Sequence, residues 1–123
     1  MHVKFTGLTP TIGVGSLDTA IAFYSKLGFE AQWKWPDQNP THASLKKDET
    51  NFMITFVRNE EKIQKGDLYF WVENIKEYYQ NLIESGVEVP ALVKTDYGML
   101  DTSITDPWGH QLTFGEAHGE YEE

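Results

Sequence analysis

Ser16-Leu17-Asp18-Thr19-Ala20-Ile21-Ala22-Phe23-Tyr24-Ser25-Lys26-Leu27-Gly28-Phe29-Glu30 is answered 58 positions later by Asn74-Ile75-Lys76-Glu77-Tyr78-Tyr79-Gln80-Asn81-Leu82-Ile83-Glu84-Ser85-Gly86-Val87-Glu88, with no gap between the copies. Each copy opens on a residue able to cap a helix with its side chain (Ser16, Asn74). Apolar residues follow at helical spacing, a glycine ends the run, and a strand-like start comes next. One unit used twice in a chain predicts two similar halves and a site related to both.

Working outward, Phe5 to Val14 reads as a strand, with Pro10 implying an edge position or a break. Leu17, Ala20, Ile21, Tyr24 and Leu27 form the apolar stripe of the first helix. Phe29 to Trp35 alternates strictly and reads as a strand, followed by the loop Pro36-Asp37-Gln38-Asn39-Pro40. His42 to Lys46 and Asn51 to Arg58 read as a hairpin around Lys47-Asp48-Glu49-Thr50. In the second half Asp67 to Glu73 is a strand, Ile75 to Ser85 a helix, and Val87 to Val93 a strand interrupted by Pro90. Tyr97 to Thr105 and His110 to Gly115 are strands joined by the turn Asp106-Pro107-Trp108-Gly109. Each half is β-α-β-β-β. The expected organisation is one α+β domain: module 1 at 1–58, a linker at 59–66, module 2 at 67–116 and an acidic tail at 117–123.

A chain of 123 residues that is 40% hydrophobic can bury one real core, but half of it alone cannot. The chain has no cysteine, which excludes disulfides and thiolate metal sites. The net charge of −9 argues against nucleic acid and anionic membranes and favours a cationic partner, or simply keeps the protein soluble. No apolar run approaches ~20 residues, so no membrane span is expected. Met1-His2-Val3-Lys4-Phe5 lacks the apolar core of a secretory signal, and the expected location is the cytoplasm.

The duplicated order resembles the vicinal oxygen chelate superfamily, which includes glyoxalase I, extradiol dioxygenases and bleomycin resistance proteins. The matching stretches are Ala20-Ile21-Ala22-Phe23-Tyr24 ending at Leu27-Gly28-Phe29, the strand start Tyr97-Gly98-Met99, and Asp106-Pro107-Trp108-Gly109-His110. The resemblance implies paired modules curling their strands into a cup with helices outside. Metal-using members place His and Glu ligands on the first and last strands of each module. By distance from the motifs those positions fall on Thr9, Thr55, Asp67 and Thr113. One carboxylate and three hydroxyls do not suit a divalent catalytic metal, and the neighbouring positions offer no ligand. No metal and no cofactor is therefore expected.

Period-2 alternation turns Asp67, Tyr69 and Trp71 to one face and Leu68, Phe70 and Val72 to the helices. The same reading puts Met53, Thr55 and Val57 on the cup face and Phe52, Ile54 and Phe56 on the core face. Gln111 and Thr113 face the cup, and Leu112 and Phe114 the core. With Trp33 or Trp35 from the second strand this is an aromatic pocket with few polar handles. The candidate ligand-binding residues are Trp33, Trp35, Met53, Thr55, Asp67, Tyr69, Trp71, Asp101 and Thr113. The aromatics would stack on a ligand, and Asp67 and Asp101 would pair with its charge. Equally, the aromatics could fill a vestigial cup or a dimer interface. His42 and His110 lie away from the ligand positions and read as structural, as does Asp106, capping its own turn. No Gly-x-Ser-x-Gly or phosphate-cradling glycine pattern occurs.

The resemblance is nearest the bleomycin-resistance branch, whose members often exchange modules between subunits. It implies a non-catalytic homodimer that sequesters a small aromatic or cationic molecule. The alternatives are a metal-dependent lyase or dioxygenase and a structural dimer with a vestigial pocket.

Overall fold

The computed structural model describes residues 2–118. The first half holds β1 (Thr11–Val14), α1 (Leu17–Lys26), β2 (Glu30–Trp35), β3 (His42–Lys47) and β4 (Thr50–Phe56). After a short 3-10 turn at Glu60–Lys62 come β5 (Asp67–Trp71), α2 (Ile75–Glu84), β6 (Val93–Lys94), β7 (Met99–Thr105) and β8 (Gln111–Ala117). The strands form two open four-stranded sheets, ordered β1-β4-β3-β2 and β5-β8-β7-β6. In each, the first strand runs parallel to the last and the remaining pairs are antiparallel. The α+β class and the repeated β-α-β-β-β order stand as read from the repeat.

The glycine stops work identically in both copies. Gly28 and Gly86 take φ of +100° and +81°, where a side chain would be strained. Past each glycine the chain folds back, so that Phe29 N–H donates to the Tyr24 carbonyl and Val87 N–H to the Leu82 carbonyl, both at 3.0 Å. The helix starts differ. Ser16 caps α1 as expected, its Oγ accepting from Thr19 N–H at 3.2 Å. Asn74 sits at φ 59° and makes no side-chain cap. Glu116 of β8 does that work instead, accepting from the N–H groups of Asn74 and Ile75 at 3.0 and 3.1 Å.

Several strands are shorter than alternation suggests, and two prolines explain most of it. β1 begins only at Thr11: the Pro10 carbonyl still accepts from Met53 N–H, but Pro10 has no N–H to return. Residues 87–92 form no strand. The Pro90 carbonyl is taken by the Thr102 hydroxyl at 2.7 Å, and only Val93–Lys94 pair with β7. The β3–β4 turn is tighter than expected, with Thr50 paired to Lys47 and Asp48 at φ 51°. β7 starts at Met99, after a turn in which Thr95 Oγ1 accepts from Met99 N–H. β8 extends through Ala117 into the stretch read as tail, of which 119–123 lie outside the described residues.

Both modules share one core. Phe29 and Phe52 of the first half meet Phe70 of the second at ring-centroid distances of 5.4 and 6.0 Å, and Phe70 stacks on Phe114 at 4.9 Å. Tyr24, Leu27, Leu45, Ile54, Ile75, Leu82 and Leu112 are all within 2% of full burial. Each such side chain contributes about 1.5–3 kcal/mol relative to exposure. Phe56, expected on the core side, lies at the end of β4 and is 40% exposed. Among the described residues no helix is long and apolar enough to cross a membrane.

Candidate functional site

The sheet faces turned away from this core carry the residues singled out for binding. On the first sheet the register aligns Trp33 with Ser44 and Met53, and Trp35 with His42 and Thr55. An irregularity between Ala31 and Trp33 lets Ala31 face the core while both tryptophans face outward. Trp33 is 46% and Trp35 62% exposed, Trp35 leaning on the His42 ring at 5.8 Å. Met53 and Thr55 are half-buried beside them.

On the second sheet β5 presents Asp67, Tyr69 and Trp71, β8 presents Gln111, Thr113 and Gly115, and β7 presents Thr105, Ser103 and Asp101. Tyr69 donates its hydroxyl to Asp101 Oδ2 at 3.2 Å, and Tyr97 donates to the same oxygen at 3.4 Å. Trp71 tilts against Tyr69 at 5.1 Å, and Thr113 shares a 2.7 Å hydrogen bond with Ser103. Gly115 makes the Tyr69 position possible: a Cβ there would run into the Tyr69 hydroxyl and lie 2.9 Å from its Cζ. Desolvation, then the Asp101 charge and hydrogen bond, push the Tyr69 phenol up to about 12. Asp67 stands exposed on the same face.

These residues form two patches, one per sheet. Among the described residues the hydrogen bonds and ring contacts of Trp35 stay within the first module, and those of Tyr69, Trp71, Asp101 and Thr113 within the second. Sequence reasoning missed Tyr97, Ser103 and Gly115. An isolated glycine late in an alternating strand was the available signal for close approach. A separate cleft of about 520 Å³ lies between the β3–β4 turn and α2, and of the candidates only Trp71 lines it.

The offset of 58 that placed the chelating positions inherited from the resemblance does not hold for the first strands. Ile54 and Leu112 are 58 positions apart, but their parallel partners Ile12 and Leu68 are 56 apart. The repeat thus slips by two between the first strand and the helix. A slip of two keeps each residue on its face but changes its neighbours. Thr55 lies opposite Gly13 and Thr113 opposite Tyr69, while Thr9 lies outside any strand. Among the described residues no three His, Asp or Glu are grouped to hold a metal ion. Three hydroxyls and one carboxylate do not fit a catalytic divalent metal.

His110 and Asp106 are structural. His110 is fully buried, its Nδ1 accepting from Gly66 N–H at 3.0 Å, so Nε2 carries the proton and donates to the Gly13 carbonyl at 2.6 Å. Asp106 Oδ1 accepts from Trp108 and His110 N–H, closing its turn.

Residues 4–114 match the family model of the Glyoxalase/Bleomycin resistance protein/Dioxygenase superfamily. No curated protein sequence matches significantly. Among solved structures, a bleomycin-binding protein complexed with bleomycin superposes with a TM-score of 0.75 at 16% identity, covering 91% of this chain and 98% of that one. The bleomycin resistance determinant encoded on transposon Tn5 gives 0.77 at 16% identity, covering 92% and 98%. A glyoxalase/bleomycin resistance protein from Catenulispora acidiphila gives 0.72 at 25% identity, covering 89% and 96%. With the paired modules, their order and their motifs in agreement, this chain belongs to the glyoxalase/bleomycin resistance/dioxygenase superfamily.

Proposed function

We propose that the protein is a non-catalytic binding protein of the bleomycin-resistance type, acting in the cytoplasm as a homodimer that sequesters an aromatic, cationic compound. The observation that carries this reading is the aromatic surface left open on the outward sheet faces, with the carboxylates of Asp67 and Asp101 on the second sheet. Trp33, Tyr69, Trp35 and Trp71 are 46%, 38%, 62% and 74% exposed. Large aromatics clustered in this way usually mark a binding surface. The likeness to a protein that binds bleomycin supports the ligand class, and the net charge of −9 supports a cationic one. Stacking falls to the four aromatics, with Met53, Thr55 and Thr113 as smaller contacts and Asp67 and Asp101 as charge partners.

Homodimerisation is supported by the segment before β1. Residues 2–9 are exposed throughout, and Val3, Phe5 and Leu8 are 81%, 92% and 90% exposed, an apolar arm that a second copy would cover. A second copy would also bring a sheet face of its own against each patch.

Titration with bleomycin followed by tryptophan fluorescence, with mass measured by sedimentation, tests the proposal. Quenching saturating at micromolar ligand on a dimeric protein is expected. Absence of any quenching removes the bleomycin assignment, and a stoichiometric divalent metal surviving dialysis overturns the non-catalytic reading.

A further inference from the structure

We infer that Asp101 is the cation-binding group of the second sheet and that Tyr69 and Tyr97 make it select a primary ammonium over a guanidinium. The inference rests on the small-molecule-binding reading above and assigns the ligand's charge to one oxygen, Asp101 Oδ1.

A carboxylate offers two oxygens to donors. Here both phenols converge on Oδ2, at 3.2 and 3.4 Å, longer than usual for O–H···O bonds and so a loose closure around that atom. Oδ1 accepts no hydrogen bond among the described residues. The Tyr69 phenol, held near 12, stays protonated at neutral pH and remains a donor to Oδ2. A guanidinium gains most by laying its planar fork across both carboxylate oxygens, and two phenols crowding Oδ2 obstruct that fork. An ammonium is a compact charge with three donors and is served by Oδ1 alone.

The surroundings suit the rest of such a ligand. Asp101, Gly115 and Trp71 lie in one row across β7, β8 and β5. Gly115 has no side chain, and Tyr69 fills the middle of the row in its place, reaching over it toward Asp101. An aryl group carried by the ammonium would lie on the exposed surface of Tyr69 and of the Trp71 ring beside it, Trp71 standing two strand spacings or about 10 Å from Asp101. Aromatic faces beside a carboxylate add cation–π attraction to the charge pairing.

The test is a calorimetric and fluorescence titration of the intact protein at pH 7 with 2-phenylethylammonium, 2-phenylethylguanidinium and 2-phenylethanol. The ammonium should bind about tenfold more tightly than the guanidinium and the alcohol, the range expected for one charge-assisted hydrogen bond. Asp101→Asn should abolish that advantage, and Glu84→Gln, an exposed carboxylate at the end of α2, should leave it intact. The double variant Tyr69→Phe, Tyr97→Phe should raise guanidinium affinity toward that of the ammonium. Loss of ammonium binding in Asp67→Asn with none in Asp101→Asn overturns the inference, as does equal wild-type affinity for the two cations. If the alcohol binds as well as the ammonium, aromatic binding stands and the inference falls. If neither these probes nor bleomycin binds, both fall together.

Discussion

The hydroxyl of Tyr24 on α1 donates to Oδ2 of Asp106 at 2.7 Å, tying the first module's helix to the turn that opens the second module's last strand. Both residues are buried, Tyr24 completely and Asp106 to 4% exposure. The carboxylate is satisfied by three donors: this phenol and the N–H groups of Trp108 and His110. A buried charge held in this way is costly to disturb. Burial, then the hydrogen bond and charge of Asp106, push the Tyr24 phenol above its ordinary value.

Tyr24→Phe should therefore lower unfolding stability by about 1–3 kcal/mol, the cost of leaving one buried acceptor unmet. Urea denaturation measures it. The variant should also change the alkaline limb. The folded protein keeps the Tyr24 proton above pH 10, where the unfolded chain releases it. Stability is then fully present below pH 10 and falls above it by about 1.4 kcal/mol per pH unit for each such buried tyrosine. Tyr78, raised by burial while bonded to the Leu27 carbonyl, adds to the same limb. Tyr24→Phe should make the decline shallower without abolishing it, and an unchanged slope contradicts this account.

His110 stitches the modules at a second point, receiving from Gly66 N–H and donating to the Gly13 carbonyl. His110→Ala leaves both backbone groups without partners and opens a cavity, and should cost about 2–5 kcal/mol in urea denaturation. Long-range proton–nitrogen NMR of the wild type should report the Nε2–H tautomer. An Nδ1–H signal would contradict the assignment.

The features legible in the sequence are those with local causes. Gly28 and Gly86 announce helix ends because only glycine adopts the required φ easily, and alternation on β5 and β8 sorts Phe70 and Phe114 inward because a strand's side chains alternate. What escaped depends on distant parts of the chain. Nothing near Asn74 reveals that Glu116 will cap α2, and nothing within either copy reveals the two-residue slip between β1 and β5. The aromatic positions of the candidate site were readable from alternation. The meeting of Tyr97 and Tyr69 on Asp101 depends on strand register and on a turn, and was not.

The two helix starts should respond differently to substitution. Ser16→Ala removes a side-chain cap and should cost about 1 kcal/mol. Asn74→Gly should be neutral or slightly stabilising, because Asn74 occupies a left-handed conformation and makes no side-chain cap. Glu116→Ala should destabilise by about 1 kcal/mol, since that carboxylate holds the N–H groups of Asn74 and Ile75. Thermal melts of the three variants decide it. A loss for Asn74→Gly as large as that for Ser16→Ala would show that Asn74 caps after all.

Gly115→Ala places a methyl group where the Tyr69 hydroxyl now lies, close also to Asp101 Cβ at 3.0 Å. Tyr69 must then swing off Asp101, while the buried core on the opposite face of β8, with Leu112 and Phe114, stays covered. An ultraviolet pH titration should follow the change. In the wild type Tyr69 ionises near 12, and the sign of its shift comes from desolvation first and from Asp101 second. In the variant its ionisation should move down toward the ordinary 10, and Tyr69→Phe should remove the same signal and so identify it. Freed of one phenol, Asp101 should lose preference for 2-phenylethylammonium over the guanidinium in the same preparation. A Tyr69 titration unmoved by the added methyl would mean that the hydroxyl does not rest over Gly115 in solution.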